Sequence, residues 1–282
     1  MVVSFVKNTL RKSPIAYFLA RKIVPEGKDA KTQRQELFNA LINDCALADL
    51  RGVEIGPFDR PSLPKSDFPR VEYADVFTTD QLREKAKKNP RRKRADVCEV
   101  DHVMLDKSFS DLFSPNELDF ILCSHVLEHV PDFVGYLRDV ENVIRQGGRM
   151  VIAYPDRRYT FDLLRAPSSF EALVDRFNRK VTRPDPAVVY DYLIHHRRVY
   201  TGRIWSGVEP MHDGPSFTEE HALKRMKEAE TTYVDAHCNI FSDTEFADMI
   251  TLLNKKGLIS LTVKKMIKTR RPLNEFFVVL GK

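Results

Sequence analysis

From residue 52 onward, the chain alternates between short hydrophobic runs and amphipathic stretches. The short runs predict five strands, at 52–56, 70–76, 96–104, 118–124 and 149–154. The run 118–124 is apolar through its centre, which is typical of a strand covered on both faces. Because helical lengths separate the strands, the pattern predicts right-handed βαβ units and a mostly parallel sheet.

Helix signals follow these strands. Apolar residues at helical spacing predict a helix from Phe133, and the glycines at 147–148 are expected to end it. Ser242 and Glu245 predict a capping box for a later helix that extends to Lys256.

The two ends of the chain complete the predicted fold. A short basic helix is predicted at 15–22, and Thr32 with Gln35 predicts a capping box for a second helix. Runs at 259–268 and 274–280 predict an antiparallel strand pair. The fold class is therefore α/β: a Rossmann-like, mostly parallel seven-stranded sheet with an antiparallel C-terminal strand, an N-terminal helical cap and a helical insertion.

The insertion lies at 156–230, where the strand–helix rhythm stops and Arg, Asp, Tyr and His are frequent. Two or three helical stretches are predicted there, near 169–180, 187–200 and 218–229. No glycine- or serine-rich linker separates these parts, so we expect a single domain.

Composition places the chain among soluble globular proteins. It has 282 residues, of which 43% are hydrophobic and 30% charged. No apolar run approaches the ~18 residues of a membrane span, and the first residues lack the continuous apolar core of a signal peptide, so we expect a cytoplasmic protein. The 4 cysteines form no CxxC pair and are expected to be reduced and structural.

The net charge of +5 comes from one segment. Residues 83–94 hold eight Lys or Arg and one Glu, so the rest of the chain sums to −2. We expect a solvated loop between the second and third strands, since no aromatic residue interleaves the charges for base stacking. Phosphate or nucleic acid binding is the alternative.

Candidate ligand-binding residues lie where the predicted strands end, because ligands bind open α/β sheets at that edge. Asp75 lies twenty-one residues after Glu54, close to the spacing of a carboxylate that binds ribose hydroxyls. Asp106 follows the third strand and could accept from an adenine amino group. The full set is Glu54, Gly56, Pro57, Asp75, Asp106, Ser124 and His125.

Two sequence motifs at these strand ends resemble those of a known protein family. SHVLEHVPD at 124–132, followed by GGRMVIAYPD at 147–156, resembles a class I S-adenosylmethionine-dependent methyltransferase over roughly residues 50–160 and 235–282. VEIGPFDRP, HVLEHVPD and IAYPDRRYTFD are similar to methyltransferase domains found alongside glycosyltransferases in bacterial polysaccharide biosynthesis. The resemblance implies S-adenosyl-L-methionine as the cofactor.

The loop after the first strand departs from that family. The family usually has three glycines there, whereas this chain keeps Gly56 and continues with Pro57, Phe58 and Pro61. The loop also disfavours a dinucleotide oxidoreductase, which needs a second glycine at its pyrophosphate. A non-catalytic, methyltransferase-like protein that binds no cofactor is the alternative left open.

The segment His125–His129 has the form H-x-x-E-H, the inverted zinc-protease signature. Its place after a strand of a βαβ sheet disfavours a protease. A metal site completed by a further histidine is an alternative, but the sequence fixes no further ligand, so we expect no metal requirement. Glu128 and His129 are then expected to be structural.

The resemblance also suggests roles for histidines. Methyl transfer to a hydroxyl needs a positioned acceptor and a proton acceptor, and histidine titrates near neutrality. His125 is expected to be the catalytic base because it follows a buried strand. His237 is the second candidate and the pair His195-His196 the third.

Acceptor binding is expected where the fifth strand meets the insertion. Asp156, Arg158 and Tyr159 leave that strand with hydrogen-bond donors and an aromatic face, and His196 belongs to the insertion. Loops at such edges often carry binding residues. Their alternative role is a salt-bridged loop.

These observations predict O-methylation of a sugar hydroxyl in surface-glycan biosynthesis by one domain. We divide it into a helical cap (1–48), a cofactor-binding core (49–155), a helical insertion acting as a substrate lid (156–230) and a final helix with a strand pair (231–282). A small-molecule or lipid methyltransferase, with weak membrane-surface contact through the basic N-terminus, and an RNA methyltransferase are the alternatives. The oligomeric state stays open.

Overall fold

The computed structural model describes residues 30–89 and 96–282. The helix predicted at 15–22 and residues 90–94 of the basic run lie outside the described residues. The strands are β1 Gly52–Ile55, β2 Val71–Asp75, β3 His102–Val103, β4 Leu118–Ser124, β5 Ile144–Pro155, β6 Arg197–Val199, β7 His212–Pro215, β8 Thr262–Ile267 and β9 Glu275–Gly281. The helices are α1 Ala30–Asp44, α2 Thr79–Lys87, α3 Phe133–Val143, α4 Phe170–Arg179, α5 Pro186–His195, α6 Thr201–Ser206, α7 Glu219–Ala229 and α8 Asp243–Lys255.

Seven strands form one sheet in the order β3-β2-β1-β4-β5-β9-β8. The pairs from β3 through β5 are parallel, and β9 runs antiparallel to both of its neighbours. The order turns back at β1 and β4, so the crevice between their carboxyl ends is the expected ligand site. The predicted fold class is confirmed.

Helices cover both faces of this sheet. On one face, Phe38 and Leu41 of α1 pack with Phe120 and Phe277 of the strands. On the other face, α3 and α8 pack against the second set of strand side chains. The segment predicted as a helical cap therefore contributes α1 as one layer of the sandwich.

The third strand is much shorter than predicted. The prediction covered 96–104, but only His102–Val103 pairs with β2. The Asp101 carboxylate accepts from Tyr73 N at 2.6 Å, and Cys98 N donates to Phe58 O at 2.7 Å. Because these bonds replace ladder bonds, residues before 102 form a loop.

Three helix boundaries also differ from the prediction. The helix from Phe133 ends at Val143, because Ile144 is fully buried and already pairs in β5, so the glycines at 147–148 lie within a strand. Thr32 lies inside α1, which already includes Ala30. The helix predicted at 187–200 ends at His195, where the chain enters β6.

The basic run is only partly a loop. Its first residues belong to α2, which ends at Lys87 and is held at its start by a capping box at Thr78. Arg83 contacts Asp80 and Glu99, and Lys87 contacts Glu84. The charges of this turn are thus partly neutralised by local carboxylates.

The insertion has a small apolar core of its own. Val189 and Leu193 of α5 pack with Ala222 and Ala229 of α7 and with the chain at 234–236. β6 and β7 add a two-stranded antiparallel sheet. None of the helices in the described ranges is long and apolar enough to cross a membrane.

Candidate active site

The loop after β1 folds back onto Glu54. Its two carboxylate oxygens accept from Ser62 N at 2.7 Å and from Leu63 N at 2.9 Å. The side chain is buried, and burial raises its pKa despite these bonds. Glu54 therefore fixes the loop, and it does not offer the free carboxylate predicted for ligand binding.

The same loop leaves one backbone position open at Gly56. Gly56 is exposed and has a left-handed φ of 66°, which glycine adopts at little cost. A Cβ added there would come no closer than 3.7 Å to another residue, the side chain of Val126. Pro57, also predicted to bind the ligand, is buried within this loop.

The ends of β2 and β3 place two carboxylates beside two exposed apolar residues. Asp75 accepts from Phe77 N at 3.0 Å, and burial raises its pKa. Asp106 is exposed on the neighbouring strand end. Val76 is 49% exposed and Leu105 is 57% exposed, and both are among the most exposed large apolar side chains of the described residues. Sequence analysis missed both, although each directly adjoins a predicted carboxylate.

Lys85 of α2 links this edge to the insertion side. Desolvation lowers the pKa of Lys85, while the charges of Asp75 and Asp235 act to raise it. Its ammonium also lies 3.1 Å from the ring centre of Phe77. The charges of Asp75 and Asp235 therefore both act on Lys85, a residue of the basic run.

The loop after β4 holds His125 between two carboxylates. Its Nε2 lies 2.9 Å from Glu275 Oε2, and its Nδ1 lies 3.5 Å from Glu128 Oε1. Arg34 donates both to Glu275, at 2.6 Å, and to the hydroxyl of Ser124, at 3.1 Å. Desolvation lowers the pKa of His125, but the two carboxylates outweigh it and raise the pKa to about 10. With a carboxylate at each ring nitrogen, His125 has no free lone pair for the predicted role of base.

Residues 237–240 bring the other candidate histidine to this loop. The Asn239 amide donates to Leu127 O at 2.9 Å, and Cys238 N donates to Glu128 O at 2.6 Å. Arg176 of α4 donates to Asn239 Oδ1 at 2.8 Å. These bonds fix the backbone next to His237 against the loop after β4.

His237 is buried and forms a pair with Asp162. The distance from Nδ1 to Asp162 Oδ2 is 2.6 Å. Since a carboxylate is an acceptor, Nδ1 carries the hydrogen of the neutral imidazole, and in that tautomer Nε2 keeps its lone pair. Burial raises the pKa of Asp162, but the bond from His237 and the charge of Arg165 outweigh it, and the net shift is downward. This pair has the form of a histidine base oriented by a carboxylate.

Glu128 and His129 lie next to His237. The rings of His129 and His237 meet edge to face at 4.7 Å, and His129 Nδ1 lies 2.9 Å from Asp235 Oδ1. Glu128 is buried beneath them. The two residues expected to be structural thus face the candidate base.

The predicted acceptor residue Asp156 is fully buried. Its carboxylate accepts from Arg158 Nε at 2.9 Å and from Thr269 Oγ1 at 2.6 Å. Arg158 also contacts Asp243 at 3.0 Å, with 40% of its side chain exposed. Asp156 is therefore corrected from an acceptor ligand to the anchor of Arg158.

Tyr159 forms part of an aromatic surface near the end of β5. It stacks on Trp205 of α6 at 4.1 Å and 11°. Trp205 donates to Leu273 O at 2.9 Å, two residues before Glu275 at the start of β9. The stack therefore lies at the same edge of the sheet as His125.

His196 lies in a second aromatic group. It stacks on Phe161 at 4.6 Å and 16°, and Phe161 in turn lies 4.7 Å from the ring of His237. Burial lowers the pKa of His196. The neighbouring His195 turns toward Asp191 Oδ1, at 2.9 Å.

Several residues of this site were not found from the sequence. Arg34 and Glu275 are 241 residues apart, Asp235 and His129 are 106 apart, and Asp162 and His237 are 75 apart. No local motif marks such partners, because the fold alone brings them together.

This fold is the one expected of S-adenosylmethionine-dependent methyltransferases. The family model of the methyltransferase domain matches residues 31–254, most of the chain. The chain therefore belongs to the methyltransferase domain family and is an S-adenosylmethionine-dependent methyltransferase, which confirms the predicted class and cofactor. No curated protein sequence matches the chain significantly.

Solved structures resemble the chain at low identity. A methyltransferase from Methanosarcina mazei is 13% identical, with 86% of this chain and 96% of that chain covered and a TM-score of 0.41. The 1,6-didemethyltoxoflavin-N1-methyltransferase of Burkholderia thailandensis is 14% identical, with coverages of 99% and 89% and a TM-score of 0.45. The magnesium protoporphyrin IX methyltransferase of Synechocystis PCC 6803 is 9% identical, with coverages of 99% and 96% and a TM-score of 0.40.

Proposed function

We propose that this methyltransferase transfers the methyl group to a hydroxyl of a small polyhydroxylated acceptor, a sugar of a surface glycan, and that His237 activates this hydroxyl. The observation that carries the proposal is the buried pair of His237 and Asp162, which leaves Nε2 with a free lone pair. Methyl transfer to an alcohol needs such a group, because the hydroxyl must lose its proton as the bond forms.

The cofactor would bind along the ends of β1, β2 and β3. The Asp75 carboxylate suits the two ribose hydroxyls, and the open backbone at Gly56 allows close approach of a ligand. Val76 and Leu105 are exposed apolar side chains that suit the faces of a planar base. Asp106 adds an acceptor for its amino group.

The acceptor would lie between this edge and the insertion. Asp235 supports this position, because it pairs with His129 and its neighbours Val234 and Ala236 pack in the core of the insertion. The stacked Tyr159 and Trp205 supply an aromatic surface of the kind on which sugar rings pack, and Arg158 is partly exposed beside it. His196 would line the acceptor site as predicted, because the ring of Phe161 contacts the rings of both His196 and His237.

The chemistry is an in-line displacement at the sulfonium methyl. S-adenosylmethionine, when bound along the ends of β1, β2 and β3, would supply the methyl group, which would pass from the sulfonium sulfur to the acceptor oxygen and leave a neutral thioether. The hydroxyl proton passes to His237 Nε2, and Asp162 stabilises the resulting imidazolium. The sulfonium cation supplies the driving force, so this chain's residues orient the acceptor and take the proton.

Calorimetry and a transfer assay test the proposal. S-adenosylhomocysteine should bind the purified protein, and labelled methyl from S-adenosylmethionine should appear on an oxygen of one member of a panel of nucleotide sugars and oligosaccharides. His237→Gln should bind S-adenosylhomocysteine normally but transfer at least ~100-fold less. Labelling of RNA, lipid, or a nitrogen atom in place of a sugar hydroxyl would contradict the proposed acceptor, and failure to bind S-adenosylhomocysteine would contradict the cofactor site.

A further inference from the structure

Three potential metal ligands converge between the loop after β4 and the segment before α8. Glu128, His129 and His237 each offer one ligand atom, and these atoms all lie within 4.8 Å of one another. His129 Nε2 is 3.8 Å from Glu128 Oε1. Glu128 and His237 are buried, whereas His129 is partly exposed, so the cluster is open on one side.

Both histidines are oriented by a carboxylate on the same ring nitrogen. Nδ1 of His129 faces Asp235 at 2.9 Å, and Nδ1 of His237 faces Asp162 at 2.6 Å. Each carboxylate fixes the tautomer that leaves Nε2 as an electron-pair donor. Carboxylate–histidine pairs of this kind typically support metal-bound imidazoles.

Glu128 supplies an independent observation. Its Oε2 atom is buried and has no hydrogen-bond partner within the described part of the chain. An unpaired buried carboxylate oxygen is costly unless another group satisfies it. Because the Nε2 atoms of both histidines carry no hydrogen in these tautomers, they cannot donate to it, whereas a cation between the three residues would satisfy all of them.

We propose that Glu128, His129 and His237 bind one divalent transition-metal ion of the zinc class. Two imidazole nitrogens and one carboxylate oxygen form a ligand set found in catalytic zinc sites, whereas magnesium and calcium favour all-oxygen sites. Three protein ligands leave a coordination position open. The sequence expectation of no metal requirement is revised because the fold supplies His237 as the third ligand.

The catalytic use of this ion rests on the proposed function. When bound at His237 Nε2, the ion would favour the deprotonated form of an acceptor hydroxyl that contacts it. The hydroxyl proton would then leave to solvent on the open side of the cluster, so His237 would not need to accept it. Metal binding itself does not depend on the identity of the acceptor.

Equilibrium binding of Zn²⁺ to the untagged protein tests the site. After removal of metal with EDTA, we expect one Zn²⁺ per chain by calorimetry and by elemental analysis after gel filtration, with a raised Tm. Glu128→Gln and His237→Gln should weaken Zn²⁺ binding at least 100-fold. His102→Gln is the matched control, because His102 also pairs with a carboxylate, Glu72, but belongs to no group of three potential metal ligands among the described residues.

Three results would overturn the proposed metal site, and a fourth would overturn its catalytic role. A folded wild-type protein that binds no Zn²⁺, equal binding by the Glu128 and His237 variants, or binding of Mg²⁺ in preference to Zn²⁺ would overturn the site. S-adenosylhomocysteine affinity is measured on the same samples, so a failed cofactor site is distinguished from a failed metal site. Glu128→Gln also separates the two modes of activation: it keeps the pair of Asp162 and His237, so retained, EDTA-insensitive turnover would overturn the ion's catalytic role.

Discussion

The loop after β4 and the segment before α8 each bring a histidine to the same region, but they give it different surroundings. His125 has a carboxylate at each ring nitrogen, Glu275 at 2.9 Å and Glu128 at 3.5 Å. His237 has one carboxylate within hydrogen-bonding distance among the described residues, Asp162 on Nδ1. The sequence ranks His125 first as a base, yet His237 keeps the free electron pair that such a role requires.

The two regions also differ in how the fold restrains them. His125 has a left-handed φ of 55°, and its side chain joins β4 to β9 through Glu275. His237 is fixed by its neighbour Asn239, whose amide donates to the loop after β4. Thus the charge contacts of His125 stabilise the edge of the sheet, while the hydrogen bonds around His237 leave its Nε2 available for chemistry.

The largest expected effect is the loss of kcat on substitution of His237, and a comparison with His125 tests which histidine is the base. His237→Ala should lower kcat by about 10²–10⁴-fold, because it removes the group that activates the acceptor. His125→Asn should lower kcat less than tenfold, since asparagine tolerates a left-handed φ and no proton acceptor is lost. Steady-state kinetics at saturating cofactor measure both, with S-adenosylhomocysteine affinity as the control for folding.

The opposite ranking would restore His125 as the base. If neither variant changes kcat tenfold, no histidine base operates at these positions. The acceptor would then be an amine or a carboxylate, which needs little help in losing a proton, and the sugar hydroxyl would lose its support.

The second prediction compares the carboxylates of the two regions by stability. Asp162→Ala should lower the free energy of unfolding by about 3 kcal/mol, because it leaves a buried Arg165 with one partner fewer and His237 without its acceptor. Glu275→Ala should cost less, since the side chains of Arg34 and His125 are 29% and 41% exposed and can be solvated. Urea unfolding measures both variants. Equal losses of the free energy of unfolding would show that the charged partners in the two regions are equally shielded from solvent.

Features that depend on neighbouring residues could be predicted from the sequence, whereas contacts between residues far apart in the sequence could not. The sheet could be predicted because its signals are local patterns in the sequence. The apolar run of β4 indicates burial on both faces, and Ser242 and Glu245 indicate the capping box of α8. Asp75 and Asp106 could be placed at the sheet edge for the same reason. The pairs of Asp162 with His237 and of Asp235 with His129 could not, because only the packing of the insertion and of the segment before α8 brings them together.

The predicted roles that changed show a second physical limit. The sequence identifies a carboxylate at a strand end but not the groups that already occupy its oxygens. Glu54 is used by the backbone of its own loop, and Asp156 is used by Arg158 and Thr269. Asp75 differs from both, since its carboxylate accepts only from backbone N–H groups of the residues that directly follow it, among the residues described, and lies beside the exposed Val76.

The third prediction concerns that difference. Asp75→Ala should weaken S-adenosylhomocysteine binding by about 1.5–3 kcal/mol, the scale of lost hydrogen bonds to a charged group. Glu54→Gln is the matched comparison: it should mainly lower stability, because its oxygens face backbone amides and not the ligand. Calorimetry with thermal unfolding separates the two effects, and unchanged binding by Asp75→Ala would move the ribose site elsewhere.

The smallest expected effect is at the basic run. Replacing Arg91–Arg94 with Ser or Gln should leave turnover on a small acceptor nearly unchanged, because these charges have no role in methyl transfer under the proposed function. Lys85→Gln is the informative control, since Lys85 lies close enough to Asp75 and Asp235 for their charges to act on its pKa. We expect that variant to weaken cofactor binding a few-fold, on the order of one exposed ion pair. If the Arg91–Arg94 replacement instead abolishes methylation of RNA with a steep dependence on salt, the basic run is a nucleic acid contact and the sugar acceptor is wrong.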